Sequence, residues 1–283
     1  MPWTVIARKD FTESKDSRFV RYLLYVLVVT FLVGGYIFPV STSGDVTLER
    51  FTGFMTGSVG LLLPLLGILL GYNAIVGERQ SGRLSLVLSQ PHTRKEFVLG
   101  KLIGRGSFIA LGVVSGLLAA GALVVYPFGL DYVGLEVDSF ATLLGYGAYI
   151  LLTLLFGLIF LNLGLALSTF TISKQLATMG AFGVYFLFVI IWELIRDAAV
   201  YGLEQIGMSD GEAPEWLLFV HGAEPGMLYD RIIAGFFKNS TDGAYLGPDA
   251  PWYLGEWVGL GLFLGWVVVP LLVGYHRFEV TDL

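Results

Sequence analysis

The sequence predicts an all-α protein that crosses a membrane six times. Of its 283 residues, 55% are hydrophobic and only 14% are charged, whereas soluble domains carry about 25% charged residues. Several uncharged runs reach about 20 residues, the length that a helix needs to cross about 30 Å of hydrocarbon. The chain also contains 37 glycines, and small residues let helices approach closely in lipid. We therefore expect one closely packed membrane domain over residues 1–283.

The elements follow from the apolar runs, taken in chain order. A basic arm over residues 1–19 comes first. We expect it to stay uncleaved and to lie in the interface, with Trp3, Ile6 and Phe11 towards lipid. The six predicted spans are residues 22–40, 51–76, 97–126, 140–167, 176–195 and 254–275.

A few residues inside the spans are candidates for a translocation path or for helix packing. Pro64 should kink the second span, because proline removes a backbone hydrogen bond. Lys101 and Arg105 are expected to extend to the membrane surface. Asn162 either bonds a neighbouring helix or contacts a substrate. Glu193 either pairs with a nearby arginine at the water boundary or belongs to a pathway.

The segment between the second and third spans has a pattern of its own. Leu84 and Leu88 lie four residues apart and share one face of a short helix. Pro91 ends that helix, since the residue before a proline leaves helical geometry. Thr93 and Glu96 then form a capping box at the next helix start. The pattern predicts an amphipathic helix lying across the membrane surface, and an ordinary charged loop is the alternative.

The distribution of basic residues predicts the orientation. With six spans both termini share a side, and 13 of the 17 Lys and Arg residues fall on that side. The positive-inside rule then places the termini and the connection over residues 77–96 in the cytoplasm. Residues 196–254 become an extracytoplasmic segment with short helices. We expect a multi-pass protein of the cell membrane.

Several kinds of chemistry have no motif in this sequence. There is no cysteine, and the three histidines lie far apart, so we predict no metal site. Gly100 and Lys101 do not complete a phosphate-binding loop, because Leu102 stands where Ser or Thr is required. We therefore expect no bound cofactor, no ATP hydrolysis by this chain and no nucleic-acid partner. Acids are scarce inside the spans, which disfavours an ion-driven carrier.

A family resemblance rests on residues around Glu78. The stretches that carry it are GYNAIVGER (71–79), SGRL (81–84), LSQP (88–91), Arg94 and LGK (99–101). They resemble the signature of ABC-2 type transporter permeases, and the six-span layout is similar as well. Within that family the chain is most similar to permease subunits of nitrous oxide reductase maturation transporters. Asn73 and the pair Val280-Thr281 depart from the pattern of that subgroup.

The resemblance implies a permease subunit of an ATP-driven transporter, in the direction of export, with an unidentified cargo. Its partners would be an ABC ATP-binding subunit, which holds ATP and Mg²⁺, a second permease copy or paralogue, and membrane lipid. The short cytoplasmic helix would dock into a cleft of the ATP-binding subunit. The residues predicted at this interface are Glu78, Arg79, Gly82, Arg83, Leu84, Leu88 and Pro91. A non-transporting anchor for an ATPase and an intramembrane enzyme remain alternatives.

Overall fold

The computed structural model describes residues 3–42, 46–82, 84, 93–126, 139–208, 213–236 and 251–280, and the regular structure of these residues is helical. The helices are α1 (Trp3–Asp16), α2 (Arg18–Ser41), α3 (Leu48–Gly71), α4 (Val76–Gln80), α5 (Arg94–Val125), α6 (Ser139–Phe170), α7 (Lys174–Tyr185), α8 (Trp192–Gln205), α9 (Glu215–Gly222), α10 (Pro225–Phe236) and α11 (Glu256–Val280). A π-helical turn, Phe186–Ile191, joins α7 to α8.

Within the described residues, six helices are long and apolar enough to cross a membrane, which confirms the predicted number of spans. Spans 1 to 4 are α2, α3, α5 and α6, span 5 is α7 with α8, and span 6 is α11. The predicted capping box is confirmed, because Thr93 and Glu96 each bond the other's backbone N–H. Span 2 differs from its prediction: its helix ends at Gly71, and a turn over residues 72–75 leads into α4.

Spans 2 and 4 form the centre of the bundle and approach one another through glycines. A methyl group added at Gly71 would lie 2.5 Å from the carbonyl oxygen of Leu161, and one added at Gly164 would lie 2.8 Å from that of Ile68. The two backbones therefore touch where neither residue has a side chain. By contrast, a methyl group at Gly57 would meet no atom within 4 Å. Of these two glycines of α3, Gly71 is needed for close packing and Gly57 is not.

The N-terminal arm forms helix α1, but its apolar side does not face lipid as predicted. Ile6 is 8% exposed and packs against Gly100 of α5, where an added methyl group would lie 2.7 Å from its Cβ. The ring of Phe11 lies 4.7 Å from that of Phe108. The prediction was wrong for Ile6 and Phe11, because α5 offers a surface that buries Ile6 and partly buries Phe11. Trp3 is 40% exposed.

Span 5 packs loosely on the rest of the chain. In the most apolar 18-residue stretch of span 5, only 6% of the residues are buried, compared with 61% in the same stretch of spans 2 and 4. Its large exposed side chains include those of Met179, Phe186 and Ile190. In a bilayer such a face is covered by lipid or by another protein.

Two short helices, α9 and α10, occur in the segment where the sequence predicts short helices. Tryptophans of spans 5 and 6 bond the segment that connects these two spans. The indole N–H of Trp192 donates to the His221 carbonyl at 3.1 Å, and that of Trp266 donates to the Ala223 carbonyl at 2.8 Å. Glu224 is 3% exposed and accepts a hydrogen bond from the Met227 N–H at 2.7 Å. Burial raises the pKa of its carboxyl group to about 7.

Candidate functional site

The candidate site is built around the short helix α4, which follows the turn at the end of span 2. The first N–H groups of a helix have no partner within it. Here the hydroxyl oxygen of Ser168, from the end of α6, accepts hydrogen bonds from the N–H groups of Ile75 and Val76, at 2.9 Å each. Ser168 is completely buried. Span 4 therefore supplies the N-terminal cap of α4.

Helix α4 is also bonded to the connection between spans 4 and 5. The guanidinium group of Arg79 donates to the carbonyl of Thr171 at 3.0 Å. The amide of Gln80 donates to the carbonyl of Ile172 at 3.3 Å. These carbonyls follow the last turn of α6, where backbone acceptors lack helical partners and favour positive charge.

A buried ionic network joins α4 to α1 and α5. The ammonium group of Lys101 pairs with Asp10, at 2.5 Å from its Oδ1, and with Glu78. Arg105 pairs with the second oxygen of Asp10 at 3.1 Å and donates to the carbonyl of Leu70. The prediction that Lys101 extends to the surface was wrong, because its side chain is only 4% exposed. Mutual pairing offsets the cost of removing these charges from water.

The network borders a polar cavity of about 460 Å³ that also contacts Lys174 at the start of span 5. Carboxylate oxygens of Asp10, Glu13 and Glu78 lie within 4.8 Å of one another, close enough to share a cation. Two of these three carboxylates already pair with Lys101, whose ammonium group takes the place of a cation. The arrangement therefore works as a structural joint between helices.

The structure places the predicted interface residues in different environments. Glu78 belongs to the ionic network, and Arg79 bonds the connection between spans 4 and 5. Gly82 is exposed and has a φ of +71°, a conformation that favours glycine. Leu84 is 2% exposed and belongs to the core of this chain, so its side chain is already covered. Three of the predicted residues lie outside the described residues: Arg83, Leu88 and Pro91.

The candidate path residues take part in helix packing or boundary pairing. Pro64 is buried within α3, which continues through it from Leu48 to Gly71. The Asn162 amide of span 4 donates to the carbonyl of Val267 in span 6 at 2.7 Å, a bond between helices. Glu193 pairs with Arg196 at 3.6 Å, with both side chains partly exposed. Whether Asn162 and Glu193 also belong to a translocation path stays a prediction.

Sequence reasoning missed two residues of this region and gave no role to a third. Asp10 stands among the basic residues of the arm, and nothing marked it as a buried partner of Lys101. Ser168 closes an apolar run and had no signal at all. Arg94 was singled out only by resemblance, and it donates to the carbonyls of Phe278 and Glu279 at 2.6 and 2.7 Å. It thereby holds the end of span 6 against the start of span 3.

Comparison with known proteins gives consistent matches over nearly the whole chain. The profile of a family described as ABC-2 family transporter protein matches residues 4–283. The probable ABC transporter permease protein NosY of Pseudomonas aeruginosa is 31% identical over 271 residues, which cover 93% of each chain. Its counterpart of the same name in Stutzerimonas stutzeri is 30% identical over 282 residues, or 97% of this chain and 96% of the relative. The chain therefore belongs to the ABC-2 transporter family, as a multi-pass membrane permease subunit of an ABC transporter.

Proposed function

We propose that this permease subunit works as a dimer with two ATP-binding subunits and exports its cargo across the cell membrane. ATP and Mg²⁺ bind to the partner, and this chain converts the partner's movement into movement of its spans. Membership of the family implies the ATP-binding partner. The direction of export rests on the resemblance of residues 71–101 to the family signature.

The observation that carries the proposal is the way α4 is connected. Its hydrogen bonds reach the end of span 4 and the connection to span 5, and its ion pair reaches span 3 and α1. Beyond α4, Ser81 and Gly82 are exposed. A partner that pushes on this exposed end therefore acts on several helices at once, which rigid-body movement of packed helices requires.

The loose packing of span 5 supports the dimer. Because only 6% of the most apolar stretch of span 5 is buried, most of the surface of this helix is available for contact with other molecules. We propose that a second permease copy covers part of that surface and that lipid covers the rest. Spans 1 and 6 also have exposed apolar surface for lipid, since 28% and 22% of their most apolar stretches are buried.

The test uses a bulky residue on the proposed docking face. Ser81→Trp adds an indole at an exposed position just after α4, and Glu204→Trp adds the same bulk at an exposed position near the end of α8. Tagged chains are purified from native membranes, and the ATPase activity that co-purifies is measured. Ser81→Trp should reduce this activity at least tenfold, whereas Glu204→Trp should leave it within twofold of the unsubstituted chain.

Two results would overturn the proposal. One is undiminished ATPase activity in the Ser81→Trp preparation. The other is ATPase activity that persists in the chain after all other polypeptides have been removed. A non-transporting anchor would also retain the ATPase. Distances within the chain that change with nucleotide distinguish a transporting permease from such an anchor.

A further inference from the structure

We propose that Ser168 is a positioning residue that makes α4 and the start of span 5 move as one unit. The inference rests on the proposed function and deepens it, because it names the route by which movement of α4 enters the membrane domain. It concerns contacts within this chain and leaves the cargo open.

The first argument is where the hydrogen bonds of residues 75–80 end. Two backbone N–H groups and two side chains of this segment bond Ser168, Thr171 and Ile172. All three acceptors therefore lie within five consecutive residues, more than 90 positions further along the chain. Helix α4 has only five residues, too few to be stable alone. Its position is set by this segment and by the ion pair between Glu78 and Lys101.

The second argument is the burial of the Ser168 hydroxyl group. The side chain has no solvent-accessible surface, so no water can replace it as the acceptor for the Ile75 and Val76 N–H groups. Close backbone contact between Gly71 and Gly164, which precede Ile75 and Ser168 in the chain, holds the two chain segments together next to these bonds. Sliding of α4 along span 4 would leave two buried donors without an acceptor.

The third argument is the mobility expected of span 5. Helix α7 begins at Lys174, two residues after Ile172, the last acceptor of α4. Spans 2 and 4 are more extensively buried than span 5, which follows the end of span 4 that carries Ser168. Movement of α4 therefore reaches a helix that can follow it.

The experiment measures distances between spin labels in the assembled complex. The chain has no cysteine, so within this chain the spin labels attach only to the introduced cysteines. Ser81→Cys with Thr178→Cys joins α4 to the start of span 5, and Lys95→Cys with Thr178→Cys joins span 3 to span 5. Ser81 and Lys95 are exposed, and Thr178 is partly exposed. Distances are recorded without nucleotide and with ATP trapped by vanadate.

In the unsubstituted background, the distance between positions 81 and 178 should stay narrow in both states, while the distance between 95 and 178 shifts with nucleotide. Ser168→Ala should at least double the width of the first distribution and abolish the shift of the second. Thr169→Val is the matched control, because Thr169 is buried but its hydroxyl bonds only its own helix, at the Ala166 carbonyl. Ser168→Thr keeps an acceptor and should restore both readouts.

The outcomes separate the two proposals. If nucleotide shifts neither distance in the unsubstituted complex, the proposed function fails. If the shift occurs and Ser168→Ala leaves both readouts unchanged, the role of Ser168 is refuted. Should the alanine variant not fold, hydrogen exchange of the unsubstituted protein decides. The Ile75 and Val76 amides should then exchange at least tenfold more slowly than those of Ser81 and Gly82, and equal rates would refute the proposal.

Discussion

Replacing Lys101 by Met should destabilise the protein far more than the same change at an exposed lysine. The Lys101 side chain is 4% exposed and pairs with Asp10 and Glu78, which are 3% and 12% exposed. After the replacement Asp10 keeps Arg105, but Glu78 loses its ion-pair partner. Breaking a buried pair from one side costs about 3–5 kcal/mol, because the remaining charge stays buried. At about 1.4 kcal/mol per factor of ten, the folding equilibrium should fall about 100-fold or more.

The chain offers a matched control in Lys9. Its ion pair with Glu13 spans 3.8 Å on one face of α1, and the two side chains are 52% and 46% exposed. Such a pair contributes only about 0.3–0.5 kcal/mol. Lys9→Met is the same replacement at an exposed position, and it should therefore lower the stability of the protein only slightly.

The assay is reversible unfolding in mixed detergent micelles, followed by fluorescence of the six tryptophans. Adding Glu78→Gln to Lys101→Met removes the uncompensated charge, so the double variant should be more stable than the sum of the single effects. We expect a coupling energy of at least about 1.5 kcal/mol, within the range for residues in one network. If Lys101→Met costs no more than Lys9→Met, or if the double variant is simply additive, the buried network does not hold α1, α4 and α5 together.

Three further predictions concern packing, pH dependence and orientation. Gly71→Ala should destabilise the protein by about 1–3 kcal/mol in the same unfolding assay, because the added methyl group meets backbone of span 4; Gly57→Ala, which meets nothing within 4 Å, should be neutral or slightly stabilising, and equal effects would contradict the packing argument. Burial raises the pKa of Glu224 to about 7, so the folded state binds a proton that the unfolded state releases near pH 4.5, and stability should fall as pH rises from about 4.5 to 7. Unfolding titrations at several pH values should show that Glu224→Gln gains stability relative to the unsubstituted protein over that range, by up to about 3 kcal/mol, and a constant difference would argue against a buried carboxyl group. A membrane-impermeant maleimide added to intact cells should label Glu204→Cys but not Ser81→Cys, and labelling of Ser81→Cys alone would reverse the orientation.

Features that depend on neighbouring residues were predictable from the sequence. The number of spans follows from runs of apolar residues, since each run must be long enough to cross the hydrocarbon. The capping box at Thr93 and Glu96 is equally local, because its hydrogen bonds join residues three apart. The end of span 2 was not predictable in this way. The apolar run continues to Val76, while the helix ends at Gly71, and hydropathy does not distinguish a helix from a buried turn.

The candidate site was predictable only in part. The sequence singled out Glu78 and Arg79 as members of a short segment after span 2, and it assigned them to contact with a partner. In the structure both side chains have partners within the chain: Glu78 pairs with Lys101, and Arg79 donates to the carbonyl of Thr171. Their part at a partner interface stays a prediction. The apolar anchor expected at Leu84 is already buried in the core.

By itself, the sequence determined that this chain is a six-span helical membrane protein, together with the position of the short segment on which its proposed function depends. The tertiary structure alone decided what that segment is attached to. Ser168 meets Ile75 across 93 residues, and Asp10 meets Lys101 across 91. Pairings at such separations leave no periodic pattern along the chain, because they arise only when packed helices bring distant residues together. The residues that hold α4 in place therefore became visible only in the folded structure.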